Sequence, residues 1–216
     1  MRRVAAFFDM DRTLLACNSG ERWVRFLRRR REISLYRTLR AVGWLLEYRM
    51  GVLDFARISE RVVAAMHGDE EAAMWEKCTE FLQELLPTIT PAARAAVAHH
   101  RAEGHVLAIL SSSTPYVTEQ LARELDIPHV LCTRLHVEAG RFTGRVHRPV
   151  CFGRGKIYWA ERFAAEQAID LGQSFFYSDS YTDLPMLARA GKPVVVNPDP
   201  RLLRHARRTG WPIERW

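Results

Sequence analysis

Asp9 and Asp11 stand one residue apart at the end of an apolar run, Val4-Ala5-Ala6-Phe7-Phe8. A run this short and this apolar reads as a buried strand. Two carboxylates at its end repel one another and lose hydration, so their charge demands compensation. Similar placements recur along the chain. Val106 to Leu110 is a second apolar run and ends in Ser111-Ser112-Ser113-Thr114. Gly153-Arg154-Gly155-Lys156 opens a helical pattern, and Phe175 to Tyr177 ends in Ser178-Asp179, with Asp183 beyond. If the runs are parallel strands, their carboxyl ends share one edge of a sheet, where open α/β sheets bind ligands. One crevice then holds Asp9, Asp11, Asp179 and Asp183 with the ammonium of Lys156 and the hydroxyl of Ser111. That set keeps a negative excess, which a hard dication with oxygen ligands offsets. Mg²⁺ suits it, because it takes one or two carboxylates together with waters and a substrate phosphate.

The elements that must position these groups are legible in outline. Thr90 and Pro91 open a helix through Ala92 to Glu103 that ends at Gly104. Pro115 to Leu125, Gly155 to Gln167 and Leu184 to Ala190 read as helices. His129 to Cys132 reads as a short strand and Pro193 to Val196 as the last one. Leu135 to Gly144 alternates and turns like a hairpin. Repeated strand–helix units predict an α/β fold with a doubly wound parallel sheet. Between Asn18 and Leu86 the pattern is almost wholly helical, in segments Glu21 to Arg31, Leu35 to Met50, Asp54 to Met66 and Asp69 to Leu86. Asp54 and Asp69 suit helix N-caps, and Gly51 and Gly68 suit helix ends. The expected division is a small helical cap over 18–86, inserted after strand 1 into a catalytic core of 1–17 and 87–216.

Composition narrows the partners. The chain has 216 residues, 48% hydrophobic and 26% charged, enough for one α/β domain with a modest insertion. Cys17, Cys78, Cys132 and Cys151 form no C-x-x-C pair, which favours a reducing cytoplasm over a zinc site or a disulfide framework. The start reads as neither a signal peptide nor a spanning helix. The net charge is +7, and Lys77, Lys156 and Lys192 are the only lysines. Such a balance attracts anions, or reflects a bias toward arginine. No basic helix with interleaved base-reading residues points to nucleic acid.

Asp9-Met10-Asp11-Arg12-Thr13, Ser111, Lys156 and Asp179-x-x-x-Asp183 resemble, in order and spacing, the four motifs of the haloacid dehalogenase-like phosphohydrolases. The helical block between the first two motifs resembles the cap of the phosphoserine phosphatase branch, subfamily IB. The resemblance implies an aspartyl-phosphate mechanism with Mg²⁺. Asp9 is implied as nucleophile and Asp11 as the acid that protonates the leaving oxygen and then the base that activates water. Ser111, with Ser112 and Ser113 as adjoining alternatives, is implied in binding phosphate oxygens, and Lys156 in neutralising charge. Asp179 is implied as metal ligand beside Asp9 and the Asp11 carbonyl, with Asp183 holding a metal-bound water or Lys156. Ser178 and Arg12 stand where many members have Gly. Arg12 either points at the substrate or covers the cap hinge.

The expected substrate is a small phosphorylated metabolite such as phosphoserine or histidinol phosphate. Glu21 and Arg57 are the suggested pair for reading an amino acid head group. Arg28 to Arg31 reads as a solvated helix face. Joined with Arg37, Arg40, Trp44 and Tyr48 it offers the alternative of peripheral membrane contact and a phosphatase for phospholipid or glycerol phosphates. The Leu35 to Met50 helix offers a homodimer contact instead. A catalytically silent phosphate-ester binding module is the remaining alternative, though every expected reacting group is present.

Overall fold

The computed structural model describes residues 2–33 and 55–216, the side chains of 55–58 excepted. Strand β1 (Ala5–Phe8) is flanked by β2 (Val106–Leu110) and β6 (Phe175–Ser178), with β3 (His129–Leu131), β7 (Lys192–Val196) and β8 (Ile213–Glu214) outside them. The order is β3-β2-β1-β6-β7-β8, and every pairing is parallel. Phe8 lies beside Ile109 of β2 and Tyr177 of β6, so the three strands end together. The sequence pattern misses β8, because two exposed residues carry no periodic signal. They pair with β7 through the fold alone.

Alternation along β1 feeds two cores. Ala6 and Phe8 pack with side chains of α1 (Ser19–Arg29), α3 (Glu71–Leu85), α4 (Pro91–Ala102) and α5 (Pro115–Glu124). Ala5 and Phe7 pack on the other face with α6 (Arg154–Glu166), α7 (Leu184–Arg189) and α8 (Pro200–Thr209). The sheet is therefore covered on both sides, as an all-parallel sheet requires.

Helix α2 (Phe55–Ala64) and the hairpin of β4 (Leu135–Glu138) and β5 (Arg141–Val146) build a third cluster with α3 and α5, in which Val63, Cys78, Tyr116 and Phe142 are buried. The Phe142 amide donates to Asp69 O at 3.0 Å, and Gly68 N donates to Phe142 O at 2.9 Å. The hairpin thus claims Asp69 through its backbone. The N-cap of α3 is Glu70, whose side chain makes no cap bond, rather than the expected Asp69. Thr90 caps α4 as expected, its hydroxyl accepting from Ala93 N at 3.0 Å.

In the basic run, Arg29 pairs with Glu84, and Arg30 with Glu80 and Glu32. Two of its charges are neutralised by neighbouring acids. Leu35 to Met50, with Arg37, Arg40, Trp44 and Tyr48, lies outside the described residues, as do Gly51, Asp54 and the side chain of Arg57. No helix among the described residues is long and apolar enough to cross a membrane. The cysteines are free thiols.

Candidate active site

Because β1, β2 and β6 end together, Asp9, Ser111 and Asp179 come to one edge of the sheet. Lys156 reaches it from the first turn of α6. Its ammonium donates to Asp9 Oδ1 at 2.6 Å and to Asp183 Oδ2 at 2.6 Å, and the residue is 2% exposed. Burial works against that charge, but Asp183 and Asp9 outweigh it and hold the lysine pKa above its ordinary value. Gly155 permits the approach, since a Cβ there would sit 2.0 Å from Val150 O.

Asp183 begins α7, yet its side chain makes no cap bond. It faces Lys156 instead and accepts from Ser178 Oγ at 2.7 Å. Asp11 is held by α1, accepting from Ser19 N at 2.8 Å and from Asn18 Nδ2 at 3.2 Å. Sequence pattern places Ser178 beside Asp179 without a role, and it gives the Asn18–Ser19 turn no place at the site. The second carried a helix-cap signal, but nothing that tied it to Asp11.

The Asp179 and Asp9 carboxyls carry the strain of the arrangement. Burial, then the Lys156 charge against it and Asp183 and Asp11 with it, leaves Asp9 raised to about 7. Burial, then Asp9, Asp183 and Asp11, raises Asp179 well above the ordinary value of 3.8. Among the described residues no Lys or Arg forms an ion pair with Asp179, Lys156 being taken by Asp9 and Asp183. Asp11 is pushed up by burial, against which the Ser19 bonds and Arg12 act.

This donor set fits a hard cation in one particular way. Among the described residues no three His, Cys, Asp or Glu side chains converge to enclose an ion by themselves. Asp11 accepts at both oxygens and Asp183 Oδ2 takes both Lys156 and Ser178, which leaves Asp179 and the Asp9 oxygen that Lys156 does not hold as side-chain donors. Magnesium asks for no more than that, plus waters and a phosphate.

Ser111 is buried at the end of β2 and its hydroxyl accepts from Ser113 N at 3.2 Å. Ser112 is half-buried on the same loop, ahead of α5, whose first-turn amides have no intrahelical acceptors. Arg12 sits at φ 55° and its guanidinium turns toward Glu21 at 3.5 Å. Its carbonyl accepts from Asn197 Nδ2 at 3.1 Å.

The sequence profile of haloacid dehalogenase-like hydrolases matches residues 6–188. The chain belongs to the haloacid dehalogenase-like hydrolases. A histidinol-phosphatase of Neisseria meningitidis serogroup C (strain 8013) is 30% identical to this hydrolase over 216 residues, covering 96% of each chain. The crystal structure of a Bordetella pertussis Tohama I protein of unknown function superposes with a TM-score of 0.90 at 29% identity, over 99% of each chain. A phosphoserine phosphatase, solved as a phospho-aspartyl intermediate analogue, superposes with a TM-score of 0.72 at 20% identity, over 99% of this chain and 93% of that one. The hydrolase therefore has the fold of the phosphoserine phosphatase-like branch, and its family and relatives make it a phosphatase.

Proposed function

We propose that this hydrolase is a Mg²⁺-dependent phosphomonoesterase that works through an aspartyl-phosphate on Asp9, on a small phosphorylated metabolite of the histidinol-phosphate or phosphoserine kind. The observation that carries the reading is Lys156, buried and bonded at 2.6 Å to both Asp9 and Asp183. A fixed ammonium on the nucleophile's carboxylate fixes its plane and offsets charge as the phosphoryl group arrives. Phosphoryl transfer mostly needs alignment and neutralisation of this kind.

The steps follow from the positions. An Asp9 oxygen attacks phosphorus as the bond to the ester oxygen breaks. Asp11, whose carboxyl is raised by burial, gives its proton to the departing alcohol. The resulting Asp11 carboxylate then takes a proton from water, whose oxygen attacks phosphorus and returns Asp9 with release of inorganic phosphate. The Ser19 amide and Asn18 hold Asp11 in place for both transfers. The Ser111 loop, with Ser112 and the start of α5, supplies donors to the phosphate oxygens. Mg²⁺, held by Asp9, Asp179 and the Asp11 carbonyl with Asp183 behind them, would supply charge neutralisation on the phosphoryl oxygens.

Residues 18–86 form the cap in this reading, selecting the substrate and excluding water. Arg12 and Glu21 stand at the joint of α1 with the loop after β1. The free thiols support a cytoplasmic setting. The test is release of inorganic phosphate from an aryl phosphate, then from histidinol phosphate and phosphoserine, with and without Mg²⁺. Wild-type release no higher than that of Asp9→Asn sinks the reading.

A further inference from the structure

A basic cavity lies outside the hydrolytic machinery. It has a volume of about 340 Å³ and is lined by Tyr181, Arg201, Arg204, His205 and Arg208. The last four fall on one face of α8, at the spacing that brings helical side chains together. Several arginines elsewhere are neutralised, among them Arg94 by Glu124, Arg162 by Glu166 and Arg189 by Glu161. Among the described residues no carboxylate pairs with Arg201, Arg204 or Arg208. The surface is also aromatic. The Arg201 guanidinium lies 4.4 Å from the Tyr181 ring centre, and His205 meets Tyr181 and Trp211 edge-on at 6.4 and 5.0 Å. Arg208 Nη2 lies 3.4 Å from His205 Nδ1, so the imidazole places a ring face beside the guanidiniums.

We propose that this cavity is a second anion site, for a chain of phosphates as carried by a nucleoside polyphosphate or an inorganic oligophosphate. Three unneutralised guanidiniums match several phosphate charges, and planar forks suit phosphate oxygens. The site is separate from the hydrolytic centre, because α8 runs back from the strand edge. Arg208 lies roughly 10 Å further along the helix than Arg201. It is nonetheless wired to that centre. Asp199 accepts from Tyr181 N at 2.6 Å and from Arg201 N at 2.8 Å, and its own amide donates to Asp179 O at 2.8 Å.

The experiment is titration calorimetry at about 150 mM salt on the full chain carrying Asp9→Asn, which silences turnover. The probes are tripolyphosphate, ATP, adenosine and a short single-stranded oligonucleotide. The expected result is saturable binding of tripolyphosphate that weakens about tenfold or more in Arg201→Gln/Arg204→Gln/Arg208→Gln. It should change by no more than about twofold in Arg94→Gln/Arg162→Gln/Arg189→Gln, which loses the same charge elsewhere. ATP binding more tightly than tripolyphosphate assigns a nucleoside polyphosphate, and equal binding assigns the phosphate chain alone; either upholds the site. Equal weakening in both triple variants means diffuse attraction and overturns it. So do binding unchanged in both, no binding of either anion at about 1 mM, or binding of the oligonucleotide alone.

Discussion

Lys156→Met removes the one ammonium among buried carboxylates and keeps the volume of the side chain. Lys156 is 2% exposed and its Nζ lies 2.6 Å from an oxygen of Asp9 and of Asp183. Removing one member of a buried ion pair costs ~3–5 kcal/mol, against a total stability of ~5–15 kcal/mol. The loss is expected to depend on pH in a definite direction. The lysine pKa is raised by folding, so its contribution is fully present below the ordinary value of 10.5 and constant from pH 5 to 8. Asp9 in the fold is raised to about 7, against 3.8 ordinarily. Between those values the native state binds the proton that the unfolded chain has released, so ionising Asp9 destabilises the fold as pH rises. Without the ammonium, that penalty grows. The variant is therefore expected to lose about 3 kcal/mol or more at pH 8 and clearly less at pH 5, where Asp9 takes up a proton. Urea unfolding in a chelating buffer measures both. Lys156→Met/Asp183→Asn is expected to recover part of the loss, because both partners of one pair are then neutral. Hydrolysis of an aryl phosphate is expected to fall by ~10²-fold or more. A loss below about 1 kcal/mol at pH 8, or one of the same size at pH 5, would refute the reasoning.

Asp199→Ser keeps a good helix cap but withdraws the oxygen from Tyr181 N, so stability is expected to stay within about 1 kcal/mol. The Mg²⁺ concentration needed for a calorimetric binding midpoint is expected to rise several-fold in the same variant. His100 is buried against Tyr177 Oη at 2.7 Å and His105 at 2.8 Å, and burial, His105, His99 and Lys192 lower it to about 4. A folded pKa below the ordinary 6.5 means stability complete above that value and lost as pH falls toward 4. Wild type is expected to lose roughly 3 kcal/mol more over that interval than His100→Gln, read from paired urea curves. Gly155→Ala places a Cβ 2.0 Å from the Val150 carbonyl, a backbone atom that cannot turn aside. It is expected to lower both the melting temperature and the rate, with normal values of either counting against the packed start of α6.

Much of the site is legible in the chain because it sits at strand ends. Short apolar runs mark β1, β2 and β6 from local pattern, and repeated strand–helix units make them parallel. Parallel order then sends Asp9, Ser111 and Asp179 to one edge without further information. What local pattern cannot carry is pairing across distance. Lys156 and Asp9 are 147 residues apart, and the bond from Asp199 to Tyr181 spans 18. Asp199 reaches the loop that holds Asp179 and Asp183 only because the start of α8 lies beside the end of β6.

Charge shows the same division most sharply. Read along the chain, Arg28 to Arg31 is the most concentrated basic run. Folding brings Glu80 and Glu84 of α3 against it and closes Arg29 and Arg30 in ion pairs. The arginines of α8 are spaced out in sequence and draw no attention, yet no described carboxylate reaches Arg201, Arg204 or Arg208. The amino-acid sequence by itself determined the fold class, the edge that carries the carboxylates and the net positive charge. Only the tertiary structure decided which charges meet an opposite partner, because Coulomb attraction acts over a few ångströms of space, whatever the distance along the chain.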